Sequence, residues 1–202
     1  MPPPSRLHAA KQLVVEGKSA EYFFSALLAQ MGVSDVQVQD FGSVGELGRF
    51  LKALCSMSGF STVVSLGIVR DAESDPRAAL QSVCTALGHA DLPTPEAPGP
   101  AKGTRPRVSA FILPDETTAG MLEDLCLRSV AEQPVMECVD EYFGCLDQRC
   151  GLALKNIPKA RVQAYLASQL KAGLLLGQAA HAGYWPWDHP AFDDVKRFLG
   201  NL

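Results

Sequence analysis

The sequence predicts an α/β protein, with a mainly parallel four-stranded sheet flanked by helices and a C-terminal helical extension. Two observations carry that expectation. From residue 11 to about 131, short β-branched runs alternate with amphipathic helical stretches, the order that a parallel sheet covered on both faces imposes. Beyond that point the strand-like runs stop and three helical segments follow, roughly 135–148, 158–170 and 190–199.

The first strand is predicted over Gln12 to Val15 and delivers Glu16 at its end. Gly17-Lys18-Ser19 has the ending of a phosphate-binding P-loop, but that motif needs a glycine at position 12, where Gln stands, and a flexible loop in place of a β-rich run. A helix from Ser19 to Gln30 follows, closed by Gly32, with Phe23, Ala26, Leu27 and Gln30 on adjacent turns. The second strand is Asp35 to Asp40. Ser43 and Glu46 then make a capping box, in which each side chain satisfies a free backbone amide of the first turn. Leu47, Phe50, Leu51 and Leu54 give that helix its apolar stripe.

A third strand is expected over Ser61 to Val69, and a third helix opens at Asp75 with Pro76 in its first turn and stops at Gly88. Residues 91–106 carry five prolines and no apolar periodicity, so they read as an extended excursion, either a surface loop or a lid. The fourth strand is Arg107 to Leu113, and a helix begins near Met121. In the tail, Val162, Tyr165, Leu166 and Gln169 share a helical face, and Trp185, Trp187, Phe192 and Phe198 supply large apolar area. These faces are expected to pack on the sheet, giving one domain over 1–202 with a core of about 10–131 and an extension of about 132–202. Trp185-Pro186-Trp187 has a second reading as an exposed partner-binding motif.

A chain of 202 residues with 47% hydrophobic and 20% charged content can bury a substantial core. Its net charge of -4 argues against a surface coated in phosphate contacts, so any contact with nucleic acid is local or assisted by a partner. The six cysteines include no Cys-x-x-Cys pair, and Met1-Pro2-Pro3-Pro4 does not read as a signal peptide; free, mostly buried thiols in a cytoplasmic setting are expected. No apolar run approaches the roughly 20 residues of a membrane span.

In open parallel sheets, ligands bind beyond the carboxyl ends of the strands. The first strand delivers Glu16 there, the third Asp71, Glu73 and Asp75, and the fourth Asp115 and Glu116, with Glu123 and Asp124 in the helix that follows. Carboxylates without a cationic excess suit magnesium, a hard cation that takes oxygen ligands. Each acid also has a structural reading. Asp75 before Pro76 is a helix cap, Glu123 and Asp124 are first-turn acids that a helix dipole explains, and Lys18 and Arg70 neutralise neighbours. The coincidence of Glu16 at one strand end with Asp71-Ala72-Glu73 at another favours a metal site.

The stretches "LVVEGKSAEYFFSALL", "LGIVRDAESDPRAALQSV", "FILPDETTAGMLEDLCL", "KNIPKARVQAYLAS" and "GYWPWDHPAFDDVKRFL" resemble, in order and spacing, the DUF3226 family of small bacterial and archaeal proteins, a Toprim-like (Rossmann-like) group. The resemblance covers nearly the whole chain. Toprim is the catalytic fold of topoisomerases, bacterial primases, recombination-repair proteins and the overcoming-lysogenization-defect nucleases. It implies a glutamate after the first strand, matched by Glu16, and an Asp-x-Asp or similar pair after the third, matched by Asp71 and Glu73. Carried over, Glu16, Asp71 and Glu73 hold Mg2+ or Mn2+, with Glu123 as a further acid and Lys159 as the lysine near a scissile phosphate. The departure is Ala20, where many relatives place a second acid one helical turn beyond the glutamate; Glu21 lies about 100° away around the helix.

Three functions are then open. One is metal-dependent, nuclease-type phosphodiester chemistry on nucleic acid. Another is a Toprim-like binding or regulatory subunit, weak or inactive as a catalyst, of an ATPase partner; Ala20, the acidic net charge and the lack of an ATP-binding motif point that way. The third, a small-molecule phosphatase or nucleotide-binding enzyme on a similar sheet, wants an aspartate nucleophile early in the first loop, where Glu16 stands.

Overall fold

The computed structural model describes residues 6–151 and 154–202. The leader reading of Met1-Pro2-Pro3-Pro4 lies outside the described residues. Four strands, β1 (Lys11–Val15), β2 (Val36–Asp40), β3 (Ser65–Asp71) and β4 (Arg107–Leu113), form one sheet in the order β2-β1-β3-β4. Every pairing is parallel, as predicted. The chain runs from β1 outward to β2, then returns over β1 to begin β3 on its other side. The order therefore reverses between β1 and β3, and a crevice opens at their carboxyl ends.

Successive strand residues point to opposite faces, and this divides the core. Leu13, Val15, Val69, Phe111 and Leu113 face α1 (Lys18–Gln30) and the tail, meeting Phe23, Phe24 and Leu27. Val14, Leu66, Ile68, Ala110 and Ile112 face α2 (Leu47–Cys55) and α3 (Pro76–Gly88), meeting Phe50, Leu51, Leu54, Val83 and Leu87. The Ser43/Glu46 capping box is present, although the turn it opens is a 3-10 turn over Val44–Glu46 that runs into α2.

The third strand differs from its prediction. Gly59, at φ 95°, starts a 3-10 turn over Phe60–Thr62, with Thr62 Oγ1 donating to the Gly59 carbonyl at 2.7 Å, so the strand begins at Ser65. At its other end β4 holds it in register through Asp71↔Leu113. Arg70 and Asp71 are therefore strand residues rather than loop residues. The proline-rich excursion is fastened along the outer edge of β4, with the Gly99 amide donating to the Ala110 carbonyl at 2.8 Å and Lys102 exchanging two 2.8 Å bonds with Val108. It covers a sheet edge that would otherwise expose unpaired backbone groups.

Helix α4 (Leu122–Val130) closes the core region, and the tail consists of α5 (Pro134–Cys150), α6 (Ile157–Ala167), α7 (Leu176–His181) and α8 (Asp193–Gly200). It shares one continuous core with α1 and the sheet, through Val162, Tyr165, Leu166, Phe192 and Phe198. The short α7 carries no sequence periodicity and was not expected; it lies against α1 because residue 177 is glycine. A Cβ there would sit 2.4 Å from the Ser19 carbonyl oxygen. Trp185 is buried, stacks on Tyr165 with centroids 5.5 Å apart, and donates from Nε1 to the Leu176 carbonyl. Trp187 is half-buried against Phe23 and Phe192. Acrylamide quenching of the folded protein should accordingly resolve two tryptophan populations, one protected and one partly accessible. A single, fully accessible population would contradict this packing.

The thiols depart from expectation. All six are free, but only Cys126 is buried; Cys138, Cys145 and Cys150 are exposed because α5 buries only Met136 and Val139. Among the described residues, no helix is long and apolar enough to cross a membrane.

Candidate metal centre

Glu16 follows the last residue of β1. The register Val15↔Val69 sets it beside Arg70, across an inter-strand gap of about 4.8 Å, at the point where the strand order reverses. Burial pushes its carboxyl above the usual range; Arg70 opposes this, Glu73 adds to it, and the Val44 amide and Lys159 oppose it. Its Oε2 is buried and has no hydrogen-bond partner among the described residues.

Asp71 ends β3. Its Oδ1 accepts the Leu122 amide at 3.0 Å, from the first residue of α4. Burial and the charges of Glu16 and Glu123 nonetheless push it up to about 7, with Glu73 adding to the effect and the Leu122 amide opposing it. Glu73 lies two residues on, exposed, with φ 56°, in the left-handed region. Two 2.8 Å backbone bonds with Gly120 hold it there, one in each direction. The turn before α4 is thereby fastened to the turn after β3.

Glu123 and Asp124 share the first turn of α4 but have different roles. Asp124 Oδ2 accepts the Met121 amide at 2.8 Å and so caps the helix. Glu123 turns toward the cluster; burial raises its carboxyl, its own amide and Lys159 lower it, and Asp124 and Glu73 raise it. Lys159 is exposed at the start of α6, where its amide is capped by Asn156 Oδ1 at 3.0 Å. Its charge reaches both Glu16 and Glu123. Glu16, Glu73 and Glu123 thus all act on Asp71, and Lys159 acts on Glu16 and Glu123.

The remaining strand-end acids are employed elsewhere. Asp75 caps α3, accepting from the Arg77 and Ala78 amides at 2.8 and 3.1 Å. Asp115 accepts from Thr117, Thr118 and Arg128; burial works against its ionisation, but these donors prevail and hold it well below the usual carboxylate range. Glu116 faces Asp194 and Arg197 of α8, away from the cluster; burial raises its carboxyl and Asp194 adds to that. Lys18 bonds Glu21 at 2.6 Å, the neutralising contact expected of it. Ala20 is 6% exposed and belongs to the core.

Arg70 has the neutralising role expected of it, and one contributor, Asp40, was missed from sequence. Arg70 is buried, donates from one guanidinium nitrogen to the Ala79 carbonyl, and is the strongest influence opposing the neutralisation of Glu16. Asp40 ends β2 and accepts the amides of Gly17 and Gly42 at 2.8 and 2.6 Å. Its place at the carboxyl end of β2 is the signal that marks it in the sequence.

The cluster's donors are all carboxylate oxygens, and leaving a buried acceptor such as Glu16 Oε2 unsatisfied costs about 1–3 kcal/mol. Both features fit a hard divalent cation. Among the described residues, no three His, Cys, Asp or Glu side chains stand together as a ready-made ligand set. An ion here would rely on water or on small side-chain movements to complete its shell, as magnesium commonly does.

The sequence model of a family described as "Protein of unknown function (DUF3226)" matches residues 10–202, and the chain belongs to that family. Among solved structures it is similar to a hypothetical protein from Pyrococcus horikoshii OT3, with a TM-score of 0.63 and 17% identity over 95% of this chain and 94% of that one. At that identity the likeness establishes the fold. No curated protein matches the chain.

Proposed function

We propose that the protein is a Toprim-like, metal-dependent phosphodiesterase acting on nucleic acid, with Mg2+ or Mn2+ held by Glu16, Asp71, Glu73 and Glu123. The observation that carries this reading is the unsatisfied buried oxygen of Glu16, set beside an Asp71 whose carboxyl is pushed up to about 7. Perturbed acids that converge at the switch point of a parallel sheet mark functional sites. When bound, the ion would offset negative charge developing on the phosphoryl oxygens. Glu16 presents a fixed carboxylate from a strand end, and Asp71, near half-ionised at neutral pH, can hold or release a proton. Lys159 brings a compact positive charge toward a bound phosphate. The test is Mn2+-dependent cleavage of plasmid and single-stranded DNA by the purified protein and by Glu16→Gln. Cleavage lost in the variant supports the enzyme, and no cleavage by either rejects it.

One observation favours a second reading, a Toprim-like subunit that binds or regulates an ATPase partner without cutting. Ala20 points into the core, so the position one turn beyond Glu16 supplies no second acid. In that case Mn2+ binds but no DNA is cleaved.

A further inference from the structure

The setting of Glu16 depends on an acid outside the cluster. Register places Asp40 beside Val15, and its single Oδ1 accepts the amides of Gly17 and Gly42. Both glycines have positive φ, 84° and 87°, so each loop leaves its strand in a conformation that other residues rarely adopt. The Phe41 amide adds a 3.0 Å bond to the Val15 carbonyl. Gly17 directly follows Glu16, while Gly42 lies two residues before Val44, whose amide acts on the Glu16 carboxylate. One oxygen of Asp40 therefore ties down both loops that determine where the Glu16 carboxylate sits.

We propose that Asp40 is a positioning residue for Glu16 in the metal centre, acting through those two amides and touching neither ion nor substrate. The inference rests on the metal-binding reading above. What matters is an acceptor oxygen at the Oδ1 position, not the charge, and two substitutions separate these. Asp40→Asn keeps the acceptor and loses the charge, whereas Asp40→Glu keeps the charge and displaces the acceptor by one methylene.

Mn2+ binding is measured by electron paramagnetic resonance of free Mn2+ for the wild type, Glu16→Gln, Asp40→Asn and Asp40→Glu, with Gly17 and Gly42 amide exchange followed by NMR. Outer-shell partners of metal ligands typically contribute 10–100-fold in affinity, so Asp40→Glu should bind at least about tenfold more weakly, with faster exchange at both amides, while Asp40→Asn stays within about threefold of wild type. The reverse order, or equal weakening in both variants, would make Asp40 a ligand or a charge effect and overturn the proposal. So would Asp40→Glu binding like wild type. If wild type and Glu16→Gln bind Mn2+ equally or not at all, the metal reading itself fails, and the positioning role with it.

Discussion

Asp71→Asn should stabilise the metal-free protein at pH 8 while weakening its hold on Mn2+. Asp71 titrates near 7 in the folded chain, above its ordinary value of 3.8, because burial and the charges of Glu16 and Glu123 disfavour its ionised form. The folded state therefore binds this proton more tightly than the unfolded state does. The stability it contributes is fully present below about pH 4 and is lost as pH rises through about 7. At pH 8 the wild type carries the full cost of a buried anion, and Asn, which keeps the acceptor for the Leu122 amide, removes it. A gain on the order of 2 kcal/mol in urea denaturation is expected at pH 8, shrinking toward pH 5 as the wild type protonates. Protons and Mn2+ compete for the same group, so wild-type affinity should fall as pH drops below 7. A variant equally stable relative to wild type at both pH values would contradict the assignment.

Lys159→Ala should lower Mn2+-dependent cleavage by about 100–1000-fold, the range expected when a donor aimed at developing charge is removed. Lys155→Ala, four residues away and exposed, should leave it near wild type. Removing a cation from beside Glu16 and Glu123 does not weaken a cation site, so Mn2+ affinity in Lys159→Ala should hold or rise. Equal loss in the two lysine variants would reduce Lys159 to general basic surface. A parallel loss of Mn2+ affinity would instead mean that the substitution disturbs the ligands.

The strands were readable because each is a β-branched run bounded by turn residues, and their parallel pairing followed from the helices between them. The metal candidates were readable by the same logic, since a parallel sheet gathers its strand ends at one edge. Strand-end position alone did not rank the acids; the coincidence of Glu16 with Asp71-Ala72-Glu73 and the family resemblance did. Asp115 looks as available as Asp71 until the fold brings Arg128 to it, and Glu123 is told from Asp124 only by which carboxylate reaches the Met121 amide. Helix α7 was hidden because its position depends on a close approach at Gly177, a contact with no local periodicity. The thiols of α5 were misjudged because cysteine's average preference for burial gives way on a helix with most of its surface in solvent. Asp40 bonds backbone amides, which carry no sequence signature, so only its place at the end of β2 points to it.

The most direct test of the metal centre is calorimetric titration of the metal-free protein with Mn2+ at pH 8, alongside Glu16→Gln. A saturable site in the wild type, weakened at least about tenfold when the unsatisfied carboxylate becomes an amide, is the predicted result. Equal binding by the two proteins, or none by the wild type, would contradict it.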